Sequence, residues 1–306
     1  MTEKHHWHHH HYYSDQTVLQ NNEQKNLAIA FFLNAAFTVI EIAGGLFTNS
    51  IAIISDAVHD LGDTFSLGLA WYAERLARRK PDSRYTYGYK RFPVLAAMIN
   101  SVFLLAASAF VLSRALPMIL HPGKVNETGM IWLAVLGILF NGAAVLKLKG
   151  GKSLNQRVVR LHLLEDTLGW IAVLSGAIVM KLTGIGWIDP LLGVMIAVYI
   201  IYNAARNLRN TLRIFLQAIP EITNRQELEK SLMSVPGVES FHDVRTWTID
   251  GSIHVYTLHL VTKSGVTAAE YPEIKESVRK QLALYGFAYV TIEIDSHDEF
   301  CGLNPE

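Results

Sequence analysis

The chain has 306 residues, of which half are hydrophobic and only 18% are charged, with lysine plus arginine equal to aspartate plus glutamate at 27 each. Soluble domains carry about 25% charged residues, so the composition points to a membrane protein, and the zero net charge gives no reason to invoke nucleic acid. Cys301 is the single cysteine, which excludes an intrachain disulfide and a cysteine-rich zinc cluster.

Residues 1–26 form a histidine-rich tail in which His5, His6 and His8 to His11 are interrupted by Trp7. Such a tract collects zinc or related ions loosely, and the same composition is that of a purification tag. On either reading it is too flexible to impose a ligand geometry. The first apolar run starts near Leu27 and ends without a small-residue cleavage pattern, so no cleavable signal peptide is expected.

Apolar stretches follow at 27–47, 51–73, 92–116, 130–148, 158–180 and 188–206. Most approach the roughly 20 residues a helix needs to span hydrocarbon, which predicts an all-α six-helix transmembrane bundle over residues 27–211. The connection after the second stretch carries Arg75, Arg78, Arg79, Lys80, Arg84, Lys90 and Arg91. The connection after the fourth carries Lys147, Lys149, Lys152, Arg157 and Arg160, and Arg206, Arg209 and Arg213 follow the sixth. The alternate connections are nearly devoid of basic residues. The positive-inside rule therefore places both termini and the basic connections in the cytoplasm.

Two pairs with one spacing, His59/Asp63 and His162/Asp166, lie inside apolar stretches. Burying an unpaired charge there costs several kcal/mol or more, so the groups need an occupant. A separation of four puts both members of a pair on one helix face. Two facing helices then present two imidazoles and two carboxylates, a set that balances a divalent cation and suits zinc. Asp56 and Asp60 flank His59, and Asp56 lies three residues before it, placed to line an ion route or orient the imidazole. Glu165 points about 100° away from Asp166, which favours a structural or gating role. Asn34, Glu41, Asn100 and Asn141 are further polar groups in the apolar segments, suited to interhelical hydrogen bonds or to substrate contact.

From about residue 212 the pattern changes to short alternating segments rich in charge. A helix over 224–234, strands over 239–247 and 252–261, a helix over 267–285 and a strand over 287–295 predict a water-exposed α/β domain across 212–306.

The chain resembles the cation diffusion facilitator family of membrane metal transporters. The resemblance rests on Ser55-Asp56-Ala57 followed by His59-Asp60-Leu61-Gly62-Asp63, on Tyr85-Thr86-Tyr87-Gly88-Tyr89-Lys90-Arg91 and on His162-Leu163-Leu164-Glu165-Asp166. Asp189-Pro190 and His242-Asp243-Val244-Arg245 extend it. It implies a transport site at His59, Asp63, His162 and Asp166. It also implies a metallochaperone-like cytoplasmic domain that pairs two subunits, with metal positions at His242, His259 and Asp295. Glu293 stands where the family has a histidine, and His297 and Cys301 are nearby alternatives. Pro93 replaces a common glutamate and the basic connection lacks a histidine cluster, which speaks against a loop metal site. The implied function is export of Zn2+ from the cytoplasm in exchange for protons, by a homodimer in the plasma or inner membrane. An intramembrane metallohydrolase or a metal sensor is the competing expectation. No Gly-rich phosphate loop appears, and no separate glutamate or serine base for peptide cleavage is recognisable.

Overall fold

A computed structural model describes residue 32 and residues 35–147, 154–220 and 225–295. The chain divides into two compact units, one comprising residues 1–69 and 99–206 and the other residues 70–98 and 207–306. Asn34, the histidine-rich tail, His297 and Cys301 lie outside the described residues.

Six helices precede the C-terminal region: α1 (Ala35–Thr48), α2 (Ile51–Ala77), α3 (Phe92–Leu120), α4 (Glu127–Lys147), α5 (Leu154–Thr183) and α6 (Ile188–Phe215). Among the described residues, α3, α4, α5 and α6 are long and apolar enough to cross a membrane by length and composition. The described part of α1 is shorter, and α2 breaks its apolar run with Asp56, His59, Asp60 and Asp63. Large apolar side chains such as Phe110, Trp132, Leu139 and Leu182 are exposed on these helices. Exposure on that scale suits a lipid surround rather than water.

Close helix approach in the first unit depends on small residues. The Trp170 indole of α5 is fully buried and lies over Gly137 of α4, where a side chain would overlap the ring. Phe37 packs edge-on to Trp170 at 5.7 Å between ring centroids and stacks on Phe140 at 5.4 Å, joining α1, α4 and α5 in one core with Ile53 of α2. Gly62 likewise lies against Leu104, letting α2 and α3 approach.

The α1–α2 turn uses Asn49 in the left-handed region, at φ 54°, a conformation asparagine tolerates better than most residues. Its Nδ2 donates to the carbonyl of Lys124, and the Asn126 N–H donates to the carbonyl of Thr48. These bonds tie the α1–α2 turn to the α3–α4 connection. Ser50 then caps α2, its hydroxyl accepting the Ile53 N–H at 3.2 Å.

In the second unit, α7 (Arg225–Met233), β1 (Val238–Thr248), β2 (His254–Thr262), α8 (Tyr271–Leu284) and β3 (Phe287–Asp295) form a small α/β layer. The sheet order is β1-β2-β3, with β1 antiparallel and β3 parallel to β2. Strand periodicity sends Tyr256, Leu258 and Leu260 to one face, where they pack with Leu228, Leu232, Ile274, Val278, Leu282 and Ile292. Helix α8 begins at Tyr271, four residues later than the pattern suggests. The Glu270 carboxylate accepts both the N–H and the hydroxyl of Thr267, closing a turn before the helix, and Pro272 suits the first turn.

Candidate metal centres

Helices α2 and α5 bring His59, Asp63, His162 and Asp166 together. Asp63 Oδ2 lies 3.1 Å from His162 Nε2 and 3.6 Å from His59 Nε2. Asp166 Oδ2 lies 3.7 Å from His162 Nε2. The two imidazole rings are 5.8 Å apart between centroids and nearly perpendicular. Donor atoms of His59, His162 and Asp166 all fall within 4.8 Å of one another, the spacing of ligands around one ion.

The hydrogen bonding of this cluster is incomplete. His59 Nδ1 and Asp166 Oδ2 are buried without a hydrogen-bond partner among the described residues, and Asp63 Oδ2 is buried beside the His162 imidazole without a well-aligned bond. Leaving such acceptors unsatisfied is costly, and a divalent cation or protons would relieve that cost. Imidazole nitrogens together with carboxylate oxygens are a donor set suited to a divalent cation.

A further set of acids lies behind these four residues. Glu41, Asp60 and Asp56 are 0%, 1% and 7% exposed. Burial of Glu41 is not legible in α1 itself, because a lone acid in an apolar helix reads equally as a partner for another helix. Asn100 and Asn141 are buried as well, with Asn100 Oδ1 and Asn141 Nδ2 lacking a hydrogen-bond partner among the described residues. Glu165 is exposed, and the Tyr199 hydroxyl of α6 donates to it.

The second centre is built by register. His242 pairs with His259 across β1 and β2, and His259 pairs with Glu293 across β2 and β3. Cross-strand partners share a face, and Asp295 is two residues beyond Glu293 on that same face. Asp295 Oδ2 consequently lies 3.2 Å from His242 Nε2 and 3.1 Å from His259 Nδ1. Donor atoms of His242, His259 and Asp295 likewise lie within 4.8 Å of one another. His242 Nε2 is buried beside Asp295 Oδ2 without a well-aligned hydrogen bond among the described residues, so the donor set fits a metal ion.

Spacing alone could not reveal one neighbour of this centre. A bulge between His242 and Arg245 places Asp243 at φ 44°, and its Oδ2 reaches 3.9 Å from His259 Nε2 while Oδ1 holds Arg245. Glu293 Oε2 is 3.4 Å from the same nitrogen. Among the described residues, groups of three or more metal-capable donors at ligand spacing occur only at these two centres. In the basic connection, Asp82 instead orders the loop, accepting the N–H groups of Arg84 and Tyr85 and the Tyr89 hydroxyl.

An apolar helical region with a buried donor cluster, joined to a small α/β domain with a second cluster, defines an integral membrane protein built to handle cations. Sequence comparison gives the same class. Residues 27–216 match the model of the cation efflux transmembrane domain, and residues 220–297 match that of the cation efflux protein cytoplasmic domain. The chain belongs to the cation diffusion facilitator family, whose members are cation efflux transporters rather than enzymes.

Among its relatives is the metal cation efflux system protein CzcD of Cupriavidus metallidurans, 33% identical over 276 residues, covering 89% of this chain and 86% of that protein. The cadmium, cobalt and zinc/H(+)-K(+) antiporter of Bacillus subtilis is 31% identical over 277 residues, covering 89% of each chain. Zinc transporter ZitB of Pectobacterium atrosepticum is 30% identical over 295 residues, covering 94% of this chain and 91% of that protein. The solved metal-bound C-terminal domain of the Cupriavidus CzcD transporter is 28% identical, covering 24% of this chain and 99% of that one, with a TM-score of 0.22.

Proposed function

We propose that the protein exports zinc from the cytoplasm in exchange for protons, through alternating access at His59, Asp63, His162 and Asp166. The convergence of these four donors from α2 and α5 carries the reading. Zinc and protons compete for the same imidazoles and carboxylates, so loading on one face and protonation on the other couple the two fluxes. Relatives named as zinc transporters and as a zinc/H(+)-K(+) antiporter support the choice of ion and of counter-ion.

In this reading six helices cross the membrane, both termini are cytoplasmic, and two copies pair through the α/β domain, which the dimer-forming family domain supports. His242, His259 and Asp295 bind cytoplasmic zinc and link its level to subunit packing. The test is zinc flux in sealed vesicles containing purified protein. Export by exchange requires that zinc movement acidify the proton-receiving compartment and respond to an imposed pH gradient. Flux indifferent to both would remove proton antiport.

A further inference from the structure

The second unit contains a cavity of ≈ 490 Å³ that neither metal centre uses. Its volume lies within the range of small-molecule sites. Arg84 and Arg91 line it, and its walls include Phe92 and Leu95 from the start of α3, Phe215 from the end of α6, and Trp247 from β1. No aspartate or glutamate lines it.

Neither Arg84 nor Arg91 forms an ion pair among the described residues. Nearby acids in the chain are engaged elsewhere: Asp82 takes the Arg84 and Tyr85 N–H groups and the Tyr89 hydroxyl, and Asp250 takes the N–H groups of Ser252 and Ile253. At the end of α6 the Leu216, Gln217 and Ala218 N–H groups bond to the carbonyls of Leu212, Ile214 and Arg213. Arg91 and Phe92 stand at the positive end of α3.

Two guanidinium groups suit phosphate oxygens. A small hydrated anion would leave the aromatic and aliphatic walls without a partner, whereas an amphiphile fills both parts. The cavity also lies where α3 begins and α6 ends, the level at which helices of an integral membrane protein meet headgroups.

We propose that this cavity binds a phosphate-bearing amphiphile, with the phosphate between Arg84 and Arg91 and the apolar portion against Phe92, Leu95 and Phe215. The shared chemistry is a phosphate anion, which an anionic lipid or a soluble phosphate compound can supply.

Native mass spectrometry of the full-length protein, delipidated and titrated with phosphatidylglycerol, phosphatidylcholine or inorganic phosphate, tests the assignment. Phosphatidylglycerol should bind in preference to phosphatidylcholine. Each arginine-to-glutamine change should weaken it about fivefold, so Arg84→Gln with Arg91→Gln should cost about 25-fold. The Arg84→Lys/Arg91→Lys pair should retain the preference, which separates lost charge from lost folding. Arg78→Gln, at an exposed pair with Glu74 outside the cavity, should change nothing. Arginine-dependent binding of inorganic phosphate without phosphatidylglycerol would identify a small soluble anion as the occupant and overturn the amphiphile. Equal binding of the two lipids without arginine-dependent phosphate binding, or a phosphatidylglycerol preference that survives the double glutamine change, overturns the proposal.

Discussion

Asp189 of α6 caps the start of α2 together with Ser50: the Ser50 hydroxyl donates to Asp189 Oδ1 at 2.5 Å, and the Ile51 N–H donates to Oδ2 at 2.7 Å. Asp189 is fully buried, so these donors are its solvation. The bonds fix the first turn of the helix that carries His59 and Asp63. Asp189→Ala leaves the Ser50 and Ile51 donors unsatisfied and should destabilise the protein by about 2–3 kcal/mol. Asp189→Asn, which keeps an acceptor, should cost less. Thermal unfolding of the purified protein checks both, and an alanine variant as stable as the parent would remove the cap from the account.

Asp63 is the carboxylate closest to the imidazoles of His59 and His162. Asp63→Ala removes a ligand and a charge, and should lower zinc uptake by more than about tenfold at matched protein levels. Replacing His8 in the N-terminal tail should have a much smaller effect. Vesicle uptake equal to that of the parent would sink the transport-site assignment.

Zinc binding at the sheet face should be separable from transport-site binding. In an Asp63→Ala background, calorimetry on the full-length protein should still detect zinc, and adding His259→Ala or Asp295→Ala should remove the tightest remaining binding, leaving only the loose binding of the histidine-rich tail. Solution scattering should show a metal-dependent compaction that those second changes remove. Absence of both signals would leave the domain as an assembly module.

The Asp250 turn predicts an acid-sensitive segment. Burial raises the pKa of Asp250, but the Ile253 and Ser252 N–H groups, the Ser252 hydroxyl and Lys90 outweigh it, and the net shift is below the ordinary 3.8. A depressed folded-state pKa contributes stability above the ordinary value and loses it as pH falls through the folded value. Amide protection at Ser252 and Ile253 should therefore fall on acidification below pH about 4. Asp250→Asn should flatten that dependence, and hydrogen exchange as a function of pH gives the comparison.

Gly137 has no room for a side chain beneath Trp170. Gly137→Val should force the buried indole aside and cost about 1–3 kcal/mol, read as a lowered unfolding temperature. An unchanged temperature would mean that α4 and α5 separate easily.

Local pattern was enough to read much of this protein. Apolar stretches foretold α3 to α6, because a membrane helix advertises itself through length and composition. Alternation and the Pro236-Gly237 break foretold β1 to β3 and both small helices, although α8 starts at Tyr271 because Glu270 closes a turn with Thr267. The spacing of four within His59/Asp63 and His162/Asp166 followed from helical period alone.

Which faces meet is a different kind of information. Each pair fixes a face of its own helix, but the 3.1 Å approach of Asp63 to His162 depends on how α2 and α5 meet. Asp189 reads locally as an ordinary acid in a helix first turn, yet its carboxylate serves another helix 138 residues away in sequence. Asp243 reaches His259 only because a bulge turns it, and no periodicity encodes a bulge. Sequence by itself determined the helices, the strands and the pairs of donors, since period and hydropathy act over a few residues. Tertiary structure decided the convergence of those pairs and the capping of α2, because both arise from contacts between residues distant in the chain.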